Sequence, residues 1–202
     1  MRVYTIKDFD TFDRDEEGRI LCPSGDYTLI KEFPGFCSFG DECIFGSGCS
    51  FGEGCSFGKW CSFGKRCSFG EGCSFGEGCS FGEGCSFGEG CSFGKWCSFG
   101  EGCSFGERCI FGEGCSFGER CKIENGKEMR DMLKFEGFGS KQRMTYFFLL
   151  TDGKIFVRCG CFSGYLDEFR EEVRETHGTS THAEDYLAIA SLAERHWEGA
   201  VQ

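Results

Sequence analysis

Cysteine is the residue whose abundance and spacing could do chemistry in this chain. It stands at 37, 43, 49 and every sixth position to Cys121, with Cys22, Cys159 and Cys161 outside that register. Thiolates hold zinc, copper(I) and iron–sulfur clusters, but such sites gather their ligands at short spacings such as C-x2-C. An even spread along a repeat suits a different role, because a free cysteine packs as a small hydrophobe with a weak donor. The cysteines are therefore read as core residues, and no metal or cofactor is expected. The opening MRVYTIKDFDTFDRDEEGR has no apolar signal region and no cleavage site. The expected location is the cytoplasm, a reducing compartment in which disulfide ladders are not expected.

Other reactive residue types are sparse. His177, His182 and His196 all follow the repeat, so the repeat itself holds no histidine base. Cys159-Gly-Cys161 with Phe162 is too small a set for a metal fragment, and alternation along a strand would turn both thiols inward. With no assembled base and nucleophile, the chain is not expected to be an enzyme. Its formal charge of −11 argues against strong direct binding to nucleic acid or anionic membrane. No stretch has the run of apolar residues that a bilayer-crossing helix needs.

The cysteines belong to a six-residue unit, written out in CSFGEGCSFGEGCSFGEGCSFGEG from Cys67 to Gly90. Phe follows each Cys by two positions from Phe39 to Phe117, and Gly follows each of those Phe. Stepping back by six gives Phe33, Tyr27 and Leu21; stepping forward gives Ile123. Large apolar residues therefore recur from Leu21 to Ile123, with degenerate units at both ends, as terminal capping repeats require. In an extended C-x-F segment both side chains point to one side. Ser and the Gly after Phe then face outward, the next two residues form a corner, and Gly supplies the positive φ such corners need. The expected architecture is a mostly β chain: a parallel β-solenoid over 19–126 with a Phe/Cys core, preceded by a cap segment, 1–18.

Written from the aromatic, the unit F-G-E-G-C-S resembles the hexapeptide-repeat left-handed β-helix family. That resemblance implies a triangular left-handed coil of three hexapeptides, giving about six 18-residue coils. The period alone also admits nine coils of 12 residues. Acyltransferases share this architecture, and the resemblance implies that they use a histidine base and a loop or cleft beside the helix. This repeat has no histidine and no inserted loop, so an acyltransferase-like enzyme is the weaker alternative. Ice binding is a poor match too, since the outward pair is Ser and Gly.

With 18 residues per coil, one corner column reads Asp41, Lys59, Glu77, Lys95, Glu113, with Trp60 and Trp96 beside its lysines. A second reads Ser47, Lys65, Glu83, Glu101, Glu119, and a third is an acidic ridge of Glu53, Glu71, Glu89 and Glu107. The candidate partner-binding residues are Lys59, Trp60, Lys95 and Trp96, which break the E-G rhythm, together with the acidic ridge. An exposed Trp on a corner is a plausible anchor, and an acidic row suits a basic partner.

After Gly126 the pattern changes. Residues 127–138 read as a connector in which Met132–Phe138 could add a strand. An α+β module is expected over 139–202. Its strands Arg143–Thr151 and Lys154–Cys161 flank Asp152-Gly153, a hairpin signal. A first helix, Tyr165–Glu175, would bury Leu166, Phe169 and Val173. A second would begin at a Thr181-x-x-Glu184 capping box and bury Tyr186, Ile189, Ala190, Ala193 and Trp197. The tail VRCGCFSGYLDEFREEVRETHG followed by THAEDYLAIASLAE resembles a module of phage and prophage proteins of Gram-positive bacteria. That resemblance implies an accessory protein acting in the host cytoplasm.

The function expected from all of this is a non-catalytic protein-interaction module that binds and inhibits a host protein. That target could be a nucleic-acid-handling defence enzyme such as a CRISPR nuclease. A phage structural or appendage protein is a further alternative. The partner is expected to be a host or phage protein, and a homo-oligomer is open.

Overall fold

The computed structural model describes residues 1–139 and 143–198. Two compact units divide the chain, 1–127 and 128–202. Residues 140–142 and 199–202 of the expected C-terminal module lie outside the described residues.

The first unit is a parallel β-solenoid of about six coils, each of about 18 residues. Strand segments of two or three residues pair with those one coil away, as Ser62 and Phe63 do with Ser80 and Phe81. This arrangement settles the coil at three hexapeptides. Three parallel sheets result. One runs from Ile20–Cys22 through Cys37–Phe39 to Ile110–Phe111, a second from Ile44–Phe45 to Ser116–Phe117, and a third from Glu32–Phe33 to Cys121–Ile123.

The core explains the choice of phenylalanine. Hydrogen bonds set neighbouring coils about 4.8 Å apart, close to the distance at which aromatic rings stack. Phe63 lies on Phe81 with centroids 4.9 Å apart and planes 4° from parallel. Within a coil the rings meet edge to face, as Phe81 and Phe87 do at 4.9 Å and 89°. Each Phe thus satisfies both favoured aromatic geometries. Tyr4 continues one stack at its open end, lying on Tyr27 at 4.9 Å, and Phe9 covers Phe33 beside it.

The two glycines of the unit do different jobs. The one after Phe keeps an ordinary φ, but a Cβ on Gly82 would come 2.7 Å from the Lys65 backbone nitrogen of the coil before. Close approach requires it, and the expected need for positive φ belongs to the other corner position. There every residue from Phe36 to Arg120 is left-handed, whether glycine or not.

The cysteine side chains face inward and also serve the corners. Cys85 donates its thiol to the Gly64 carbonyl at 3.4 Å, and the same contact recurs at Cys79, Cys91 and Cys97. Leu21 departs from the expected inward register: it is exposed, and Ile20 and Cys22 are buried instead. Cys22 pairs with Phe39 and Leu21 with the outward Ser38. This first strand therefore sits one residue out of phase with the six-residue count.

In the second unit an antiparallel sheet orders Lys127–Phe138, Arg143–Leu150, Ile155–Cys159 and Phe162–Tyr165. The first strand is longer than Met132–Phe138, and the last stands where the sequence suggested only the approach to a helix. Gly153 (φ 82°) closes the expected hairpin, donating to the Leu150 carbonyl. Helices Leu166–His177 and Thr181–Trp197 cover the sheet with the expected apolar residues, Phe169, Val173, Tyr186, Ile189 and Trp197 among them. Their entry differs in one detail. Ser180, one residue before Thr181, caps the second helix by accepting from the Ala183 amide at 3.3 Å.

Candidate interaction surface

The left-handed corner position is where this surface is built. Trp60 (φ 60°) and Trp96 (φ 56°) occupy it on the same edge, between the sheets that hold Ser56–Phe57 and Ser62–Phe63. A bulky side chain there is strained, by about 1 kcal/mol or more. Glycine holds this left-handed position at eight of the fifteen corners from 36 to 120, Gly78 and Gly114 on this edge among them, without that cost. Both indoles are 55% exposed.

Each indole lies along the edge toward the next coil. Ring atoms of Trp60 fill the space that a Cβ on Gly78 would need, and Trp96 does the same at Gly114. Trp and Gly therefore alternate along the column 60, 78, 96, 114. The two rings sit about 10 Å apart, two coil spacings.

The neighbouring column carries the expected charge ladder. The Lys59 backbone amide donates to Asp41 at 2.7 Å. Lys59 then pairs with Glu77 at 3.7 Å and Lys95 with Glu113 at 2.9 Å. All of these groups are on the surface, so the pairs are worth little as stability and define a charge pattern instead.

The acidic ridge is less uniform than its sequence. Glu53, Glu71, Glu89 and Glu107 line one edge, but Arg108 at the following corner position bridges back to Glu89. In the second column Lys65 pairs with Glu83 at 2.9 Å and Arg120 with Glu101. The structure thus keeps the tryptophan edge and the glutamate ridge on different edges; the eight candidate residues do not form one site.

Several further residues shape this surface. Gly78 and Gly114 look like ordinary repeat glycines, and only the lean of the indoles gives them a role. Phe36 holds the same left-handed position at another edge and is exposed. Ile44 and Ile110 stand outward where the repeat has Ser, and both are exposed. Their signal was present in the sequence as breaks of the Ser position.

The thiols form ladders rather than sites. Contact with Cys109, with burial behind it, holds Cys91 up at about 12. Contact with Cys121 similarly raises Cys103 to about 11. Cys55, Cys67 and Cys97 take part in thiol contacts with the coils on either side and are pulled the other way. Outside the ladders, Cys161 is exposed and Cys159 half-buried. The expectation that strand alternation turns both inward fails, because Gly160-Cys161 forms the turn between paired Cys159 and Phe162.

Surface depressions of the second unit include two formed by described residues. The larger, about 660 Å³, is lined by Lys154, Tyr165, Leu166, Glu194 and Trp197. Two of its carboxylates are engaged: Glu194 holds Arg170 at 2.7 Å, and Glu168 accepts from the Tyr165 amide at 2.7 Å. The smaller, about 190 Å³, adjoins Cys159, Cys161 and His177. The His177 ring faces Tyr186 at 5.5 Å.

A family model described as an RNA-binding, Nab2-type zinc finger matches residues 31–46, 43–58, 55–76, 90–106 and 96–112. These stretches together make up well under half of the chain. No curated protein and no solved structure matches the chain.

The residues do not fit zinc. A structural zinc takes four ligands converging at about 2.0–2.3 Å. Here the matched segments hold no histidine, and their cysteines point into three separate columns. Among the described residues no three potential ligands come together. The match follows the spacing of Cys, Phe and Gly, which the solenoid uses for packing. No helix among the described residues is long and apolar enough to cross a membrane.

Proposed function

We propose that this protein is a non-catalytic protein-interaction module whose solenoid presents side chains along its corners. The observation that carries the reading is the pair Trp60 and Trp96, exposed and held in left-handed backbone where glycine would be unstrained. Large aromatics that cost the fold something and remain accessible are the anchors from which protein interfaces are built. The six-residue unit supports placing the solenoid with the left-handed hexapeptide-repeat β-helices. Resemblance of the tail to phage and prophage modules supports an accessory role inside a host cell. The glutamate ridge suits a partner with a basic surface, such as the groove of a nucleic-acid-handling defence enzyme, which this module would cover and inhibit.

The test is affinity capture from host-cell extract with the full chain, compared with a Trp60→Ala/Trp96→Ala variant. Specific capture that the variant loses is the expected result. Equal capture by both proteins would remove the tryptophan edge from the proposal, and the absence of any specific partner would overturn the interaction reading.

A further inference from the structure

From the order of residues along the tryptophan edge, we infer that its occupant is a second copy of this chain, related by a two-fold axis. This inference rests on reading that edge as a contact surface and names what covers it.

Along the edge, charge runs Asp41, Lys59, Glu77, Lys95, Glu113, and the corner position beside it runs Trp60, Gly78, Trp96, Gly114. Consider two edges laid antiparallel with the axis between the coil of Glu77 and the coil of Lys95. Lys59 then faces Glu113 of the second copy, and Glu77 faces its Lys95. The two-fold repeats both contacts, so every lysine on the shared edge meets a carboxylate.

The pairs within each chain strengthen this pattern. Lys59 already holds Glu77, and Lys95 holds Glu113. In this register each pair closes with its counterpart into a square of alternating charge, and the two-fold makes two such squares. Networks of this kind are more effective than isolated surface pairs.

The aromatic column agrees with the same register. Trp60 lies opposite Gly114 of the second copy, and Trp96 opposite its Gly78. Because Trp60 leans toward Gly78 and Trp96 toward Gly114, the antiparallel arrangement brings Trp60 of one copy and Trp96 of the other into the same interval. All four indoles are paired. Moving the axis to Glu77 would set lysine against lysine. Moving it one step further toward Asp41 would set Trp96 against Glu42 and leave Glu113 unmatched. A parallel pairing offset by one coil would match charges but would not close, and would propagate as a filament.

The test uses the full chain and sedimentation over a wide concentration range. The wild type is expected to show a monomer–dimer equilibrium weakened by salt. Trp60→Ala/Trp96→Ala is expected to lower the association constant about ten-fold or more. A charge exchange separates a specific interface from general stickiness. One variant carries Lys59→Glu and Lys95→Glu, the other Glu77→Lys and Glu113→Lys. Each alone should stay monomeric, and an equimolar mixture should form the heterodimer.

A wild type that stays monomeric throughout would overturn the inference. If tryptophan-dependent capture of a foreign protein persisted in that case, the interaction reading would stand. A dimer indifferent to the tryptophans and to charge exchange would place the two-fold elsewhere and also overturn it.

Discussion

At the scale of single residues, the corner position reveals what the repeat alone conceals. Cys, Phe and both glycines are fixed by packing, thiol donation, close approach and left-handed backbone. Trp60 and Trp96 answer to none of these needs, and Gly at their position is the conformationally easier residue. This yields an ordering of stabilities. Trp60→Gly relieves about 1 kcal/mol of backbone strain while losing the contact of the indole with Gly78, so its thermal midpoint should match or exceed that of wild type. Trp60→Ala loses the contact but keeps the left-handed strain, so its midpoint should fall below both. Thermal melts of the two variants decide the matter. A Gly variant as unstable as the Ala variant would make the indole a structural residue rather than one retained for binding.

At the scale of the elements, stacked rings and thiol ladders convert a six-residue period into a continuous core. The native ladder retains protons at Cys91 and Cys103 up to about 12 and 11, where ordinary thiols release theirs near 9.0. Above that ordinary value the unfolded chain binds fewer protons than the native one at these sites, so stability falls as pH rises. Each such thiol contributes a slope of about 1.4 kcal/mol per pH unit within its window. Urea unfolding should show a midpoint that declines as pH rises above about 9. A Cys91→Ala/Cys103→Ala variant should decline less steeply; parallel curves would mean that the ladder does not hold those protons. Much of this element was legible in the sequence. The Phe and Cys clock fixed which residues face inward, and the flanking Tyr27, Phe33 and Ile123 were found by counting. Leu21 was misplaced because the count cannot register a one-residue phase shift at a capping strand. The tryptophan pair was legible as a break in rhythm, whereas its partnership with Gly78 and Gly114 depends on which way an indole leans. Cys161 was missed because alternation does not announce the turn at Gly160.

At the scale of the whole molecule, two kinds of core coexist in one chain. The solenoid is stabilised by contacts between neighbouring coils, so losing one ring affects an entire stack. The second unit has its own core, in which Phe147, Leu149 and Val157 of the sheet meet Phe169, Tyr186 and Trp197 of the helices. Its aromatic contacts, Phe147 with Phe169 at 6.0 Å and Phe169 with Tyr186 at 5.9 Å, lie within the unit. Each core is built from its own unit's side chains, so a substitution in one is expected to act on that unit. Calorimetry of the full chain is therefore expected to resolve two unfolding transitions. Phe81→Ala removes a ring stacked on Phe63 and Phe99 and should destabilise one transition by about 3–5 kcal/mol. Phe169→Ala should lower the other by a similar amount, with each variant leaving the second transition in place. One transition that moves as a whole in both variants would show that the units unfold as a single cooperative body, and a contact at Trp60 or Trp96 would then bear on the stability of the entire chain.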